Sequence, residues 1–269
     1  MKRFAIILMA LALGLSVSAQ RGRYNKGRKP VRTTQRVTPR PATTIKTCPD
    51  NNHPHAIDLG LPSGTKWACC NVGASKPEKY GSYFAWGETS SKTNYDEDTY
   101  KWYKKGEWIV DEELDEGYYD YSITKYCTDP KDGWNGFTDN KTILELADDA
   151  AHANWGGEWC MPDSTDFEEL IEYTTNKWVK NFNGTGVKGC LFTGKNGKRI
   201  FLPAAGCRFG TMLCYTGSGY YRSNSLETDV PSCANNLILY PEDMHVGDDS
   251  IEDYIHTRAL GFTVRPVCP

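Results

Sequence analysis

The sequence predicts an α+β domain: two short helices set among short antiparallel strands and long loops. Three observations carry this. Apolar residues recur at three- and four-residue steps over only two stretches. Alternating apolar runs bounded by Gly, Pro and Asn recur from His55 to the C-terminus. The connecting stretches are long and polar.

His55 to Leu61 alternates and meets Pro62-Ser63-Gly64, and Thr65 to Val72 follows, so the pair reads as a hairpin. Tyr83-Phe84-Ala85-Trp86-Gly87-Glu88 is a compact aromatic stretch. Between about 89 and 140 periodicity is lost, and the acidic run Asp111 to Glu116 marks an irregular insertion that its Tyr and Trp residues pack onto the surface. Ile143, Leu144, Ala147, Ala150 and Ala151 predict a helix from about Lys141 to Asn154, broken by Gly156-Gly157. Asp163, Ser164 and Thr165 open a second helix, with Thr165 and Glu168 spaced as a capping box and Phe167, Leu170 and Ile171 as its apolar face. Val187–Thr193 and Arg199–Leu202 flank Asn196-Gly197, a hairpin signal. Gly219–Ser223, Asn236–Tyr240 and Gly261–Val267 complete the strands.

The start of the chain assigns a compartment. Lys2 and Arg3 precede an apolar run from Phe4 to Val17, and Ser16-Val17-Ser18-Ala19 offers small residues for cleavage before Gln20. The run is shorter than the ~20 apolar residues of a spanning helix. No Cys follows it to take a lipid, and no later segment is apolar enough to cross a bilayer. Residues 1–19 therefore read as a signal peptide, and the chain as exported to the periplasm, the cell surface or the medium. Residues 20–47 carry nine Lys or Arg and no acid, while residues 48–269 hold 20 basic against 34 acidic residues. Pro30, Pro39, Pro41 and the Thr-rich run give the tail the character of an extended spacer; its charge also suits an anionic envelope polymer. An exported, acidic domain is a poor partner for nucleic acid.

Ten Cys in an exported chain predict disulfides, and their spacing, with no Cys-x-x-Cys, argues against metal. Their pairing stays open. One zinc set can be drawn, Cys48, His53 and His55 in a C-x4-H-x-H spacing. At this level a disulfide at Cys48 and solvated imidazoles near a linker explain those residues more simply. No Gly-x-Ser-x-Gly elbow is present, Gly194 to Lys198 is too short for a phosphate loop, and Cys207 and Cys214 lack a catalytic setting. The chain reads as a non-enzyme.

The order of motifs resembles the Fibrobacter succinogenes major paralogous domain family, abundant in exported proteins of Bacteroidetes-type bacteria. The resemblance rests on Asp58-Leu59-Gly60-Leu61-Pro62-Ser63-Gly64-Thr65-Lys66-Trp67-Ala68, Tyr83 to Glu88, Asp148 to Gly157, Trp159-Cys160-Met161-Pro162, Phe201 to Gly206, Gly219-Tyr220-Tyr221 and Gly261 to Val267. It covers residues 55–268 in seven ordered blocks. It departs at Cys160, where the family has Arg, and at Tyr221-Arg222-Ser223-Asn224. The resemblance implies a C-type-lectin-like fold of the formylglycine-generating-enzyme branch, one domain over 48–269, whose termini meet in one sheet while long loops present a binding face.

That face would lie in residues 207–250. The ligand-binding candidates are Trp86, Arg208, Tyr215, Tyr220, Tyr221, Arg222, Asn235 and Asn236, for a glycan or a protein ligand, since aromatic rings stack on sugars and anchor interfaces. By strand alternation only one of Tyr220 and Tyr221 faces outward. A loop calcium could draw on Asn235, Asn236, Glu242, Asp243, Asp248 and Asp249, but the triplets of calcium-dependent lectins are missing, so no cofactor is expected. A structural or adhesive subunit without a small ligand is the rival function, and an oxidase-like enzyme of the same branch a weaker third.

Overall fold

The computed structural model describes residues 44–111, 116–247 and 257–269. The signal peptide, the tail through Thr43, most of the acidic run at 111–116, and Asp248 and Asp249 lie outside the described residues. Two compact units are described separately. One comprises residues 44–107 and 119–269; the other includes the ribbon residues 108–111 and 116–118.

The expected α+β composition is observed. Strands β1 (Ala56–Asp58) and β2 (Lys66–Ala68) pair antiparallel as the opening hairpin. The last strand, β15 (Val267–Cys268), pairs antiparallel with β2, so the chain end closes beside the start of the domain. A five-stranded sheet runs in the order β13 (Met244–Val246), β12 (Ala234–Leu239), β11 (Gly219–Leu226), β14 (Phe262–Thr263), β3 (Tyr83–Phe84). The segment Gly261–Val267, expected as one strand, is divided between the two sheets: β14 lies parallel to β11, and β15 joins β2. Arg265 sits at the crossing. Its guanidinium donates to the carbonyls of Ala68 (3.0 Å) and Phe201 (2.8 Å) and to Asn71 Oδ1 (2.8 Å), tying three segments together.

A third sheet is the meander β6 (Thr175–Val179), β7 (Gly189–Thr193) and β8 (Arg199–Pro203). The Asn196-Gly197 turn forms as expected, although only Gly197 takes a positive φ. Asn196 instead uses its side chain, accepting from Lys198 N and donating to the Asp58 carbonyl. Strand β6 was not foreseen, because its Asn, Lys and Thr hide a weak alternation.

Helix α1 (Ala150–Trp155) is shorter than expected. Residues 142–144 stay extended because their backbone pairs with β11: Leu226 N donates to Thr142 O, and Leu144 N to Asn224 O. Asp149 caps the helix, and Gly156 ends it at φ 66°. Helix α2 (Ser164–Tyr173) has Asp163 as its N-cap, with Asp166 closing the capping box in place of Thr165 and Glu168. It presses Phe167 and Leu170 against Trp67, the Phe167 and Trp67 rings standing 5.5 Å apart, in a core shared with Ile57, Tyr221, Leu237 and Val267.

The insertion at 89–140 is more regular than its sequence suggests. It carries a two-stranded ribbon, β4 (Tyr103–Asp111) and β5 (Glu116–Ile123). Its inner part is anchored by buried tyrosines: Tyr95 donates to the Tyr83 carbonyl at 2.6 Å and Tyr100 to the Trp86 carbonyl at 2.8 Å. In the other unit, the Trp108 indole lies over Gly117 and occupies the space a Cβ there would need. The two remaining strands, β9 (Cys207–Phe209) and β10 (Met212–Cys214), make a small hairpin that sets Cys207 opposite Cys214. All ten cysteines are thiols in this structure.

Candidate functional site

The structure divides the sequence-derived candidates sharply. Trp86, Tyr220, Tyr221, Arg222 and Asn236 are fully buried, so the expectation that they present a ligand face is corrected. The reason is that β11 is covered on both sides. Tyr221 faces the core of Trp67 and Phe167, while Tyr220 faces Cys207, Ile238, Leu260 and Phe262. Alternation predicts one exposed ring only when one side of a strand meets water.

Arg222 is a buried structural cation. Its guanidinium lies 3.9 Å from the Phe262 ring centre and donates to Asn236 Oδ1 (3.1 Å) and to the Thr257 and Leu260 carbonyls (2.7 Å each). Burial pushes its pKa down to about 10, which leaves it charged near neutral pH. Trp86 donates its indole N–H to the Ser223 carbonyl at 3.1 Å, with Arg258 stacked over its ring. Arg258 in turn donates to the Lys125 and Tyr126 carbonyls. These arginines stitch irregular segments to the sheet by satisfying carbonyls that have no strand partner.

Arg208, Tyr215 and Asn235 keep some exposure. Asn235 donates to the Leu226 carbonyl. Arg208 and Tyr215 belong to the β9–β10 hairpin, where Tyr215 is 55% exposed beside Met212 at 53% and Leu213 at 37%. Arg208 lies over the Tyr83 ring at 5.3 Å.

A cleft of about 270 Å³ opens between β6 and the turn that joins β12 to β13, lined by Asn176, Trp178, Cys190, Tyr240, Pro241, Glu242, Asp243 and Met244. The two-residue period of β6 puts Asn176 and Trp178 on one side, and register sets Trp178 opposite Cys190. The turn is closed by Tyr240 N donating to the Asp243 carbonyl at 2.8 Å, which lifts Glu242 and Asp243 into solvent. Two aromatic rings, an amide and two carboxylates thus border one opening. Of these residues, the sequence reading singled out only Glu242 and Asp243, as calcium ligands. The spacing of Asn176 and Trp178 was the available signal, and a short polar strand concealed it.

A second constellation lies at the open end of the first hairpin. Cys48, His53, His55 and Cys69 bring one ligand atom each to within 4.8 Å of one another, close enough that the four could hold a metal ion. His53 Nδ1 is 3.1 Å and His55 Nδ1 3.6 Å from Cys69 Sγ. The imidazoles are partly buried, which corrects their reading as solvated linker residues. Cys69 is the member that the sequence reading left out. A hydrogen bond from the Cys70 thiol, then the two histidines, hold the Cys69 thiol far below its usual range, despite burial. Burial and the adjacent Cys69 sulfur push Cys48 up to about 11.

No family model matches the chain, no curated protein matches it, and no solved structure matches its fold.

Proposed function

We propose that the chain is an exported, non-catalytic binding module of C-type-lectin-like fold in the Fibrobacter succinogenes major paralogous domain family, and that it holds a short glycan segment in the cleft between Trp178 and Tyr240. The seven motif blocks support the family. The pairing of β15 with β2, the two helices and the loop-rich remainder support the fold. Among the described residues no helix is long and apolar enough to cross a membrane.

One observation carries the ligand reading: two aromatic side chains flank a small opening that an amide and two carboxylates also line. A sugar ring offers apolar C–H faces to stack on aromatic rings and equatorial hydroxyls to donate to carboxylates. At about 270 Å³ the opening suits one or two sugar units. The expected result is binding to a subset of glycans on an array probed with and without calcium, weakened about tenfold, or roughly 1.4 kcal/mol, by Trp178→Ala and by Tyr240→Ala. Undiminished binding by both folded variants removes this cleft from the reading.

A protein ligand is the second reading, favoured by the exposed Met212, Leu213 and Tyr215 of the β9–β10 hairpin. It predicts that Leu213→Ser weakens capture of the partner while leaving array binding unchanged. In either case the basic tail at 20–47 gives the module a second, salt-sensitive attraction to anionic envelope polymers.

A further inference from the structure

We infer that Cys48, His53, His55 and Cys69 form a tetrahedral Cys2His2 site for a zinc ion, which pins the segment entering the domain to the open end of the first hairpin. The site is built by strand register. Ala56 pairs with Ala68, so the next residues outward, His55 and Cys69, face each other, and Cys69 N donates to the His55 carbonyl at 3.0 Å. His53 reaches the same sulfur, its Nδ1 3.1 Å from Cys69 Sγ. The chain bends at 50–52, where Asn52 N donates to Asp50 Oδ1 at 2.7 Å, and Cys48 Sγ lies within 4.8 Å of the ligand atoms of the other three.

The distances suit zinc. With Zn–S near 2.3 Å and Zn–N near 2.0 Å, tetrahedral ligands stand about 3.3–3.8 Å apart. The His53–Cys69 and His55–Cys69 separations of 3.1 and 3.6 Å are already near that range, and the widest separation needs about 1 Å of closure. Two thiolates and two imidazoles in this arrangement favour zinc over calcium or magnesium, which take oxygen ligands.

Asp50 supplies an independent argument. Its Oδ1 lies 3.1 Å from His55 Nε2. The carboxylate there can accept from Nε2–H, the tautomer in which Nδ1, the atom facing Cys69 Sγ, is the one that offers a lone pair to a metal. This carboxylate–imidazole–metal arrangement orients ligands in zinc proteins. A Cys48–Cys69 disulfide is the competing use of the two sulfurs. It would use two of the four donors and leave both imidazoles directed at a sulfur that needs nothing from them.

The site also has a mechanical consequence. The last residues of the basic tail meet the domain at Ile45, whose backbone exchanges two hydrogen bonds with the Asn183 side chain. Zinc would make a second anchor three residues later, fixing where the tail leaves the domain.

The test uses the full mature chain, exported by its host and purified without a metal-affinity tag. About one zinc per chain is expected by elemental analysis, and a cobalt-substituted sample should show the intense d–d bands and sulfur charge transfer of a tetrahedral thiolate site. Cys48→Ser and Cys69→Ser should each lose stoichiometric zinc, and Cys214→Ser should keep it. Asp50→Asn should weaken zinc by about 10–100-fold while retaining tetrahedral cobalt spectra. Chelation should speed hydrogen exchange at residues 47–55 and leave β11 and β12 protected. Recovery of a Cys48–Cys69 disulfide from the exported protein overturns the inference. So does zinc held by the wild type no more tightly than by a Cys48→Ser/Cys69→Ser double variant. Should a cysteine variant not fold, chelator competition on the wild type and on Asp50→Asn decides the matter.

Discussion

The middle of the five-stranded sheet and the open end of the first hairpin are opposites in how chemistry relates to burial. Strand β11 carries Tyr220, Tyr221 and Arg222, residue types that commonly meet ligands, and all three are enclosed. Residues 48–55 look like the end of a linker, yet they gather two thiols and two imidazoles around one point with Cys69. The difference lies in what satisfies each polar group. Arg222 has its two terminal nitrogens matched by carbonyls and an amide of its own chain, and its one unmatched donor, Nε, is buried where no ligand reaches it. The thiol–imidazole cluster instead converges four ligand atoms within 4.8 Å of one another, a geometry with capacity for a cation. A polar group that its own fold already satisfies is structural, however functional its type.

The largest expected effect tests the structural half of that contrast. Arg222→Ala removes the partner of Asn236 Oδ1 and of the Thr257 and Leu260 carbonyls and opens a cavity beside Phe262. It should cost about 3–5 kcal/mol, or roughly 10 °C in Tm for a domain of this size. Arg208→Ala on the exposed hairpin should stay within about 1 kcal/mol. Thermal unfolding followed by circular dichroism compares the two, and equal losses would break the distinction between them.

A smaller effect separates satisfied cations from satisfied carboxylates. Arg222 and Arg265 are held by uncharged groups that do not titrate near neutral pH. Asp148 is different: it accepts from the Tyr126 hydroxyl at 2.7 Å and the Lys125 ammonium at 2.5 Å, with Lys101 at 3.3 Å. Burial would raise its pKa, but the Lys125 and Tyr126 hydrogen bonds prevail and hold it below the usual carboxylate range. A carboxylate with a depressed folded-state pKa contributes stability above its unfolded pKa of about 3.9, and loses it as pH falls through the folded value. Asp148→Asn should therefore cost about 2 kcal/mol at pH 7, and the gap from wild type should close below about pH 4. A gap that stays constant from pH 7 to pH 3 would show that packing, not charge, makes this site.

The sequence disclosed the opening hairpin, the β7–β8 hairpin and the Asp163 cap of α2, because each has a local signature in Pro62-Ser63-Gly64, Asn196-Gly197 and Asp163-Ser164-Thr165, whereas the return of the chain end to β2 was what the family resemblance implied. It did not disclose that both faces of β11 were covered, because that depends on segments such as 257–262 far away in the chain. It hid β6 and the β4–β5 ribbon, whose Lys, Asn and Glu residues mask a two-residue period. The metal cluster was half legible. C-x4-H-x-H stood in plain view, and the missing ligand, Cys69, follows once the register Ala56–Ala68 is extended by one residue. Reading Cys69 with its neighbour Cys70 as part of a disulfide framework obscured that step.

The finest comparison lies within β11 itself. Tyr220 and Tyr221 are both buried, but on opposite sides and with unequal partners. The Tyr221 hydroxyl donates to the Pro203 carbonyl at 2.7 Å in the core, whereas the Tyr220 hydroxyl meets the Tyr240 hydroxyl at 3.5 Å near the surface. A short buried hydrogen bond contributes about 1 kcal/mol, and its loss strands the carbonyl left behind. A 3.5 Å contact between hydroxyls is near the limit of what counts as a bond at all. Tyr221→Phe should therefore cost about 1–1.5 kcal/mol and Tyr220→Phe less than about 0.5 kcal/mol, measured by denaturant midpoints at equal slope. Glycan binding should be unchanged in Tyr221→Phe, since that ring lies in the core away from any ligand. Lost binding with stability intact in that variant would return β11 to the binding face and undo the division drawn between the two regions.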